Sequence, residues 1–239
     1  MNSINLAGQV AVITGVSKGI GHHLCTQLLD KGAIVYGLGR NAPDLNHERF
    51  HFISCDVRSA AAVEAVFHQI FQEQNGQVDV LVNNAGLGYF GFCESLPLEQ
   101  WDELFATNVN GVFYCTRMVL PGMKQRQYGQ IVNISSIAGL EGYQQVSAYC
   151  ATKFAVRGFS DALYKEVRDE GIRVTCVYPG SVKTDFFRNS PSIKPHDYML
   201  DPEDVAHAIL NFLQMPKNFH TVNLEIRPLQ PKGPKAANN

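Results

Sequence analysis

Short apolar runs alternate along the chain with segments that have the apolar spacing of amphipathic helices. The first run, Gln9–Thr14, ends in a Gly-rich turn, and the helical pattern Ile20–Leu29 follows it and stops near Gly32. The same order of strand and helix then recurs to the end of the chain. The further predicted strands are Ala33–Leu38, Phe50–Cys55, Val78–Val82, Gln130–Ile134, Ile172–Tyr178 and Thr221–Ile226, and the further predicted helices are Ala60–Gln74, Leu98–Val109 running on towards Gln127, Ser147–Glu170 with Gly171 as its cap, and Pro202–Leu213.

This alternation predicts an α/β fold. Strands separated by helices imply βαβ crossovers, so we expect a Rossmann-type, doubly wound, mostly parallel sheet of about seven strands with helices on both faces. No linker-like stretch interrupts the series, and residues 1–230 are expected to form one domain. Residues 186–200, rich in Pro, Ser and aromatics, form either a substrate loop or a plain surface connection, and residues 231–239 are expected to be a disordered tail.

Composition and charge narrow the class of protein. The 239 residues are 45% hydrophobic, enough for a full core, and the formal net charge is -2. Lys and Arg are scattered along the chain, so a nucleic-acid partner is not expected. The N-terminus lacks a charged region followed by a long apolar core, and no apolar run is long enough to cross a membrane. A soluble cytoplasmic protein without membrane partners is therefore predicted.

The six cysteines stand singly inside apolar segments. They show neither C-x-x-C spacing nor a histidine at metal-ligand distance, so no metal site is predicted and the cysteines are expected to pack in the core. A redox-sensing role for Cys150, which adjoins Tyr149, is the alternative.

A Gly-rich turn opens the first predicted helix directly after the first predicted strand. Thr14–Gly21 reads Thr-Gly-Val-Ser-Lys-Gly-Ile-Gly. Glycines let a backbone approach a pyrophosphate closely, and a helix N-terminus offers free N–H groups and the positive end of its dipole. The glycines alone are weak support for a dinucleotide site, because many turns require glycine. Its place on the first strand–helix connection makes dinucleotide binding the favoured hypothesis.

The end of the second predicted strand distinguishes NAD(H) from NADP(H). An acidic residue there hydrogen-bonds the ribose 2′-hydroxyl of NAD. This strand instead ends in Gly39 and Arg40, and the guanidinium offers a fork of donors suited to a phosphate. Lys18, in the Gly-rich turn, adds a second cation. NADP(H) is therefore the predicted cofactor, the alternative being that either cation is a solvated surface residue.

A tyrosine and a lysine four positions apart have the spacing of an acid–base pair. Tyr149 and Lys153 lie in the predicted helix Ser147–Glu170, and Ser136 precedes Tyr149 by thirteen residues. On a helix this spacing puts the ammonium beside the phenol. Lowering a phenol pKa from about 10 to about 7 takes roughly 4 kcal/mol of differential stabilisation of the phenolate. The lysine and a positively charged cofactor ring are expected to supply it.

Several short motifs follow one another over nearly the whole chain. They are Thr14-Gly15-x-x-x-Gly19-x-Gly21, Asp56, Asn83-Asn84-Ala85-Gly86, Asn108, Ser136, Tyr149-x-x-x-Lys153 and Pro179-Gly180-x-Val182-x-Thr184. Each could occur by chance, whereas their joint order and spacing leave little room for coincidence. In both respects the chain resembles the short-chain dehydrogenase/reductase family in its short, NADP(H)-preferring form.

The resemblance implies an oxidoreductase that acts on CH–OH groups, and it gives four residues catalytic roles. Tyr149 would exchange a proton with the carbonyl oxygen of the substrate. Ser136 would hydrogen-bond the same oxygen. Lys153 would lower the tyrosine pKa and bind the nicotinamide ribose. Asn108 would organise a water relay from Lys153 to solvent, and because Asn is unfavourable inside a helix, a local irregularity is expected there.

The resemblance also implies a set of cofactor-binding residues along the chain. Asp56 would accept from the adenine amino group, with the residues near Asn83 on the adenosine side and Pro179–Thr184 around the carboxamide. The whole set is Gly15, Ser17, Lys18, Gly19, Ile20, Gly21, Arg40, Asp56, Val57, Asn83, Ala85, Gly86, Tyr149, Lys153, Pro179, Gly180, Val182 and Thr184. As alternatives, Asn83 is purely structural, Asp56 caps the following helix, and Pro179-Gly180 is a bare turn.

The expected substrate is a small to medium ketone, aldehyde or secondary alcohol. The predicted pocket wall is moderately apolar, although core packing explains any one of its members equally well: Leu87, Tyr89, Phe90, Tyr143, Phe186 and Phe187. Alternatives on the same site are a 3-oxoacyl thioester reductase, disfavoured by the C-terminal segment 223–231, and a hydroxysteroid-type dehydrogenase. A non-catalytic NADP(H)-binding regulator is disfavoured because the Ser-Tyr-Lys set is complete.

The quaternary structure is predicted mainly from the resemblance. It implies a homodimer or homotetramer in which the helices carrying Asn108 and Tyr149 pack against their copies. The apolar residues of the second helix are spread widely enough around it to bury more than one face, which is compatible with such packing. They are Phe154, Val156, Phe159, Ala162 and Leu163.

Overall fold

The computed structural model describes residues 3–187 and 196–231, and its strands form one seven-stranded sheet. The strands are β1 (Val10–Thr14), β2 (Ile34–Gly39), β3 (Phe50–Ser54), β4 (Val80–Asn83), β5 (Gly129–Ile134), β6 (Ile172–Pro179) and β7 (Asn223–Ile226). The helices are α1 (Gly19–Asp30), α2 (Ala60–Glu73), α3 (Leu98–Phe105), α4 (Gly111–Arg126), α5 (Ser147–Val167) and α6 (Pro202–Leu213). All paired strands are parallel, which confirms the predicted Rossmann-type sheet.

The strand residues alternate between two helical layers. In β1, Ala11 and Ile13 join a buried cluster with side chains of α1 and α6, whereas Val10 and Val12 join a cluster with side chains of α2, α4 and α5. Successive strand side chains point to opposite faces, so the continuous apolar run is what a sheet covered on both faces requires.

The strand order β3-β2-β1-β4-β5-β6-β7 places a topological switch point between β1 and β4. The chain turns to one side of the sheet after β1 and to the other side after β4. The connections that leave the carboxyl ends of these strands therefore diverge and leave a crevice, which is where open α/β sheets bind their ligands.

The predicted long helix Leu98–Gln127 is interrupted at Asn108. A π-turn over Ala106–Asn110 separates α3 from α4, and the Gly111 N–H bonds to the Ala106 carbonyl, five residues back. The irregularity expected from an asparagine inside a helix is thus confirmed, and single π-turns of this kind are frequent at functional sites.

The ends of the other elements follow the sequence pattern with small shifts. Helix α5 passes into a 3-10 turn at Arg168–Glu170, and Gly171 then adopts the left-handed conformation at φ 75°, as expected of a C-terminal glycine cap. Of the predicted substrate loop and tail, residues 188–195 and 232–239 lie outside the described part of the chain. The base of the loop is closed by two backbone hydrogen bonds, from Lys183 to Leu200 and from Leu200 to Ser181.

Within the described ranges, none of the helices combines the length and apolarity needed to cross a membrane.

Candidate active site

A cleft of about 800 Å³ runs along the carboxyl edge of the sheet, where the connections after β1, β4, β5 and β6 meet. This volume lies within the usual range for small-molecule sites. Seventeen sequence-predicted site residues line it: Gly15, Ser17, Lys18, Gly19, Ile20, Arg40, Asp56, Val57, Ala85, Gly86, Ser136, Tyr149, Lys153, Pro179, Gly180, Val182 and Thr184.

Three sequence-predicted site residues lie behind the cleft wall. The Asn83 amide donates to Asn133 Oδ1 at 2.8 Å and to Thr116 Oγ1 at 3.0 Å, tying β4 to β5 and α4. The Asn83 side chain thus contacts β5 and α4 and is not among the residues that line the cleft. Gly21 is buried in α1, and Asn108 is buried in the π-turn.

The Gly-rich turn packs closely against the connection after β4. Gly15 has φ +72°, and a Cβ there would come within 2.8 Å of Ala85 Cα, so both the backbone conformation and the contact require glycine. The Asn84 side chain donates to the carbonyls of Thr14 and Gly15, each at 2.9 Å. Asn84 therefore holds the turn in place, a role that the motif alone did not show.

The N-terminus of α1 opens into this turn and fits a dinucleotide. Helix α1 begins at Gly19, and the preceding Lys18 makes no side-chain hydrogen bond to its first turn. Ser17, Gly19 and Ile20 line the cleft. A first turn without a side-chain cap, next to a glycine that admits close approach, suits the pyrophosphate of a nicotinamide cofactor.

Tyr149 and Lys153 are both buried on the first turns of α5. The Lys153 ammonium lies 5.5 Å from the centroid of the Tyr149 ring, which confirms that the four-residue spacing brings the two groups together. The same ammonium donates to the carbonyl of Ile134 at 2.9 Å. Its position is thus fixed by the end of β5 as well as by its own helix.

Burial favours the neutral form of both groups and shifts their pKa values in opposite directions. Burial raises the pKa of Tyr149, and a hydrogen bond with Ser136 opposes part of that rise. Burial lowers the pKa of Lys153 from an ordinary 10.5 to about 8. The pKa of Tyr149 is thus raised in the protein by itself, whereas the lowered phenol pKa expected from the sequence also requires the positively charged cofactor ring and stays a prediction.

Ser136 follows the carboxyl end of β5 and presents its hydroxyl to the cleft. Its Oγ accepts a hydrogen bond from the Ala138 N–H at 3.1 Å. The same hydroxyl makes a hydrogen bond with the Tyr149 phenol. Ser136 can therefore donate to an oxygen placed beside Tyr149.

Asn108 supports this arrangement from behind the wall. Its amide exchanges two hydrogen bonds with the backbone of Leu87, at 2.9 and 3.0 Å, and donates to Thr152 Oγ1 at 3.1 Å. Thr152 in turn donates to the carbonyl of Tyr149 at 2.8 Å. The π-turn thus connects the loop after β4 to the helix that carries the tyrosine.

A charge network that sequence reasoning missed occupies the wall near Asp56. The Arg58 guanidinium binds both Asp56 oxygens and contacts Glu103 at 2.7 Å, and Glu103 accepts a hydrogen bond from Tyr89. The hydrogen bonds from Arg58 lower the pKa of Asp56, and the charge of Arg40 lowers it further. Arg58 and Glu103 are 45 positions apart and belong to no common motif, so only the fold brings them together.

The Lys18 ammonium contacts the Asp185 carboxylate at 2.7 Å, across the mouth of the cleft. The ion pair joins the Gly-rich turn to the segment after β6. It is exposed to solvent, so its strength is modest.

Aromatic side chains surround the Tyr149 ring. The Phe186 ring centroid lies 5.4 Å from that of Tyr149, and the Phe90 centroid lies 6.1 Å from it. Of the remaining predicted wall residues, Leu87, Tyr89 and Tyr143 line the cleft. The side chain of Phe187 lies outside the described part of the structure.

The chain belongs to the short chain dehydrogenase family, whose model matches residues 9–194. It is an oxidoreductase of this family, and the family binds nicotinamide cofactors. An uncharacterized oxidoreductase of Staphylococcus aureus is 32% identical over 232 residues, covering 94% of this chain and 99% of the relative.

Solved structures of the same family superimpose closely on this chain. A serine dehydrogenase in a closed form with NADP+ has a TM-score of 0.86 at 30% identity, covering 97% of this chain and 100% of that one. An alcohol dehydrogenase of Thermococcus sibiricus complexed with 5-hydroxy-NADP has a TM-score of 0.84 at 30% identity, covering 95% and 99%.

Proposed function

We propose that this oxidoreductase is an NADPH-dependent carbonyl reductase, reversible as an alcohol dehydrogenase, for a small to medium ketone, aldehyde or secondary alcohol. The observation that carries the proposal is the meeting of Ser136, Tyr149 and Lys153 in one aromatic-walled cleft beside the Gly-rich turn. The cleft thus brings together a proton donor, a hydrogen-bond donor and a cation, the set of groups that carbonyl reduction uses.

Tyr149 is the proton donor in the reduction. Because burial raises its pKa, the phenol keeps its proton at neutral pH and can give it to the carbonyl oxygen as negative charge develops there. Ser136 donates a hydrogen bond to the same oxygen and holds it in place. A bound NADPH supplies the hydride that reduces the carbonyl carbon.

Lys153 stabilises the phenolate that Tyr149 becomes after proton donation. Its ammonium, 5.5 Å from the ring centroid, favours that negative charge through space. The amide of Asn108 is engaged by Leu87 and Thr152, so a water relay that restores the proton would use the backbone of the π-turn and not this side chain.

The cofactor would lie along the cleft with its pyrophosphate at the start of α1. Arg40 and Lys18 would hold the 2′-phosphate of NADPH, while Asp56, set in place by Arg58, would accept from the adenine. Two similar proteins were solved with NADP+ or 5-hydroxy-NADP, which supports this choice. Another short-chain dehydrogenase, 27% identical, was solved with NAD+.

The surroundings of Tyr149 favour a neutral carbonyl compound over an amino acid. A serine dehydrogenase binds a substrate with a carboxylate, which calls for a cation near the reacting carbon. Among the described cleft residues, Lys153 is bound to a backbone carbonyl and the other cations, Lys18, Arg40 and Arg58, belong to the proposed cofactor end. Apolar rings, those of Phe90 and Phe186, pack on the phenol instead.

The substrate class is tested by following NADPH oxidation with purified protein on a carbonyl panel. The panel contains aliphatic and aryl ketones, aldehydes, steroid ketones, 3-oxoacyl thioesters, and L-serine with NADP+ for the reverse reaction. We expect turnover of small to medium neutral carbonyls and little of L-serine. Activity confined to thioesters or steroids would support one of those alternatives, and cofactor binding without turnover of any compound would support a regulatory protein.

The reductase should lose activity as the pH rises above about 8, where Lys153 gives up its proton. Below that pH the ammonium is charged and stabilises the phenolate, while above it the stabilisation disappears. We expect kcat/KM for carbonyl reduction to fall about tenfold per pH unit above this value, as for loss of a single proton. The measurement is a pH profile at saturating NADPH.

Oxidation of the corresponding alcohol is the control for this profile. It uses the phenolate as base and should rise over the range in which reduction falls. A reduction rate that stays level from pH 7 to pH 9.5 would show that no group with the pKa of Lys153 is required.

We further propose that the chain forms a homodimer or homotetramer through α4 and α5. Phe113 on α4 is 47% exposed and Phe154 on α5 is 43% exposed, and the ring of Phe113 packs edge-on against Phe159 of α5. The two helices therefore contact each other and each carries a large exposed apolar side chain.

Charge placed at these two side chains should dissociate the oligomer. We expect Phe113→Glu combined with Phe154→Glu to elute at the mass of one chain, 26.5 kDa, while the parent protein elutes at two or four times that mass. Size-exclusion chromatography with light scattering measures both. Met215→Glu, which changes a 38% exposed side chain beyond α6, is the matched control and should leave the mass unaltered. An unaltered mass in the double variant would place the interface elsewhere.

A further inference from the structure

The segment after β6 touches the Gly-rich turn at two consecutive residues. The Thr184 methyl carbon lies 3.3 Å from the position that a Cβ on Gly19 would take. The next residue, Asp185, accepts a hydrogen bond from the Lys18 ammonium at 2.7 Å. The segment therefore reaches one of the two cations assigned to the 2′-phosphate of the cofactor.

The same segment also touches the proposed proton donor. Phe186 follows Asp185 directly, and its ring centroid lies 5.4 Å from that of Tyr149. Asp185 and Phe186 both lie in a short 3-10 turn, Asp185–Phe187. The segment after β6 thus contacts both the Gly-rich turn and the ring of Tyr149.

Lys18 is paired with Asp185, and the 2′-phosphate of a bound NADP(H) would be its second anionic partner. Its pair with Asp185 is exposed on both sides, 61% for the lysine and 59% for the aspartate, so the pair is weak and exchangeable. The lysine stem is flexible and its ammonium has no fixed donor geometry. A 2′-phosphate in the cleft adds further negative charge near the carboxylate, and the two anions repel each other while they draw on one cation.

We propose that Asp185 is a specificity-determining residue that competes with the 2′-phosphate of NADP(H) for Lys18 and so limits the preference for NADPH over NADH. The inference rests on the nicotinamide cofactor of the proposed function. Since NADH has no 2′-phosphate, the competition acts on NADPH alone.

Asp185→Asn tests the competition because it removes the charge and keeps the shape. Calorimetric titration with NADPH and with NADH measures binding without any substrate or turnover. We expect the Kd for NADPH to fall about fivefold, the range of an exposed ion pair, and the Kd for NADH to stay unchanged. In a Lys18→Ala background, where the shared cation is absent, we expect Asp185→Asn to lower the Kd for NADPH by less than half of that factor.

The matched control is Asp197→Asn. This substitution removes an exposed carboxylate that is paired with the Lys183 ammonium at 2.7 Å. It changes net charge equally and should leave both Kd values as they were. Three results would overturn the inference. They are an equal fall in the Kd for NADPH in both aspartate variants, an equal fall in the Kd for NADH in Asp185→Asn, and an unchanged Kd for NADPH in Asp185→Asn. Failure of the parent protein to bind either cofactor would overturn the proposed function with it.

Discussion

Tyr149→Phe should lower the rate of carbonyl reduction about a thousandfold while NADPH still binds. Removal of the hydroxyl takes away the proton that the carbonyl oxygen receives, and a positioned general acid contributes factors of about 100 to 10,000. The phenylalanine ring keeps the packing against Phe90 and Phe186. The loss is therefore expected in kcat, with the Kd for NADPH changed by less than about threefold, as measured by stopped-flow turnover and calorimetric titration.

Tyr164→Phe is the control for this substitution. Tyr164 lies on the same helix but packs against His220, far from the cleft lining. Its variant should keep activity within about twofold of the parent, the range of a conservative surface change. Near-normal reduction by Tyr149→Phe would show that Tyr149 is not the proton donor. Loss of NADPH binding would show that the substitution had moved the ring.

Arg40→Ala combined with Lys18→Ala should lower the preference for NADPH over NADH about a hundredfold. In the proposed binding mode each cation would supply a charge-assisted hydrogen bond to the 2′-phosphate at an exposed site, and we expect about tenfold in affinity per contact. The kcat/KM with NADH should be nearly unchanged, because NADH carries no 2′-phosphate. The ratio of kcat/KM for the two cofactors with one carbonyl substrate gives the result.

The control removes two positive charges from the opposite edge of the sheet. Lys31, after the end of α1, and Arg49, before the start of β3, lie at the amino ends of the strands. Lys31→Ala combined with Arg49→Ala has the same net charge as the test variant and should keep the cofactor ratio. A ratio that also persists in the test variant would place the 2′-phosphate on other side chains, with Arg58 the first to examine.

The features that the sequence predicts well are those governed by local spacing. The apolar runs became the strands of the sheet, because an alternating series of strands and helices has few ways to bury its apolar faces. Tyr149 and Lys153 lie side by side because four residues make about one helical turn. The π-turn at Asn108 was expected from a single unfavourable residue inside a helical pattern.

Features that depend on distant contacts could not be predicted in the same way. The ion pair between Lys18 and Asp185 joins residues 167 positions apart, and no local pattern indicates it. The network of Arg58 and Glu103 likewise depends on how α3 packs beside the connection after β3. Both contacts sit on the wall of the cleft, where they alter the charges that a ligand meets.

The rise that burial causes in the pKa of Tyr149 could not be predicted for a related reason. Spacing shows that an ammonium is near, but the extent to which water is excluded depends on rings supplied by two other loops, those of Phe90 and Phe186. Burial raises the pKa of Tyr149 and lowers that of Lys153. The result is a phenol suited to donate a proton and a lysine whose charge depends on pH near 8.

Transfer of deuterium from NADPH labelled at the nicotinamide C4 position tests the central claim most directly. The protein is incubated with labelled cofactor and a neutral ketone of the panel, and the alcohol is examined by mass spectrometry. We expect deuterium on the carbinol carbon with the parent protein and almost none with Tyr149→Phe at equal cofactor occupancy. Binding of NADPH with no labelled alcohol from any carbonyl compound of the panel would contradict the assignment as a carbonyl reductase.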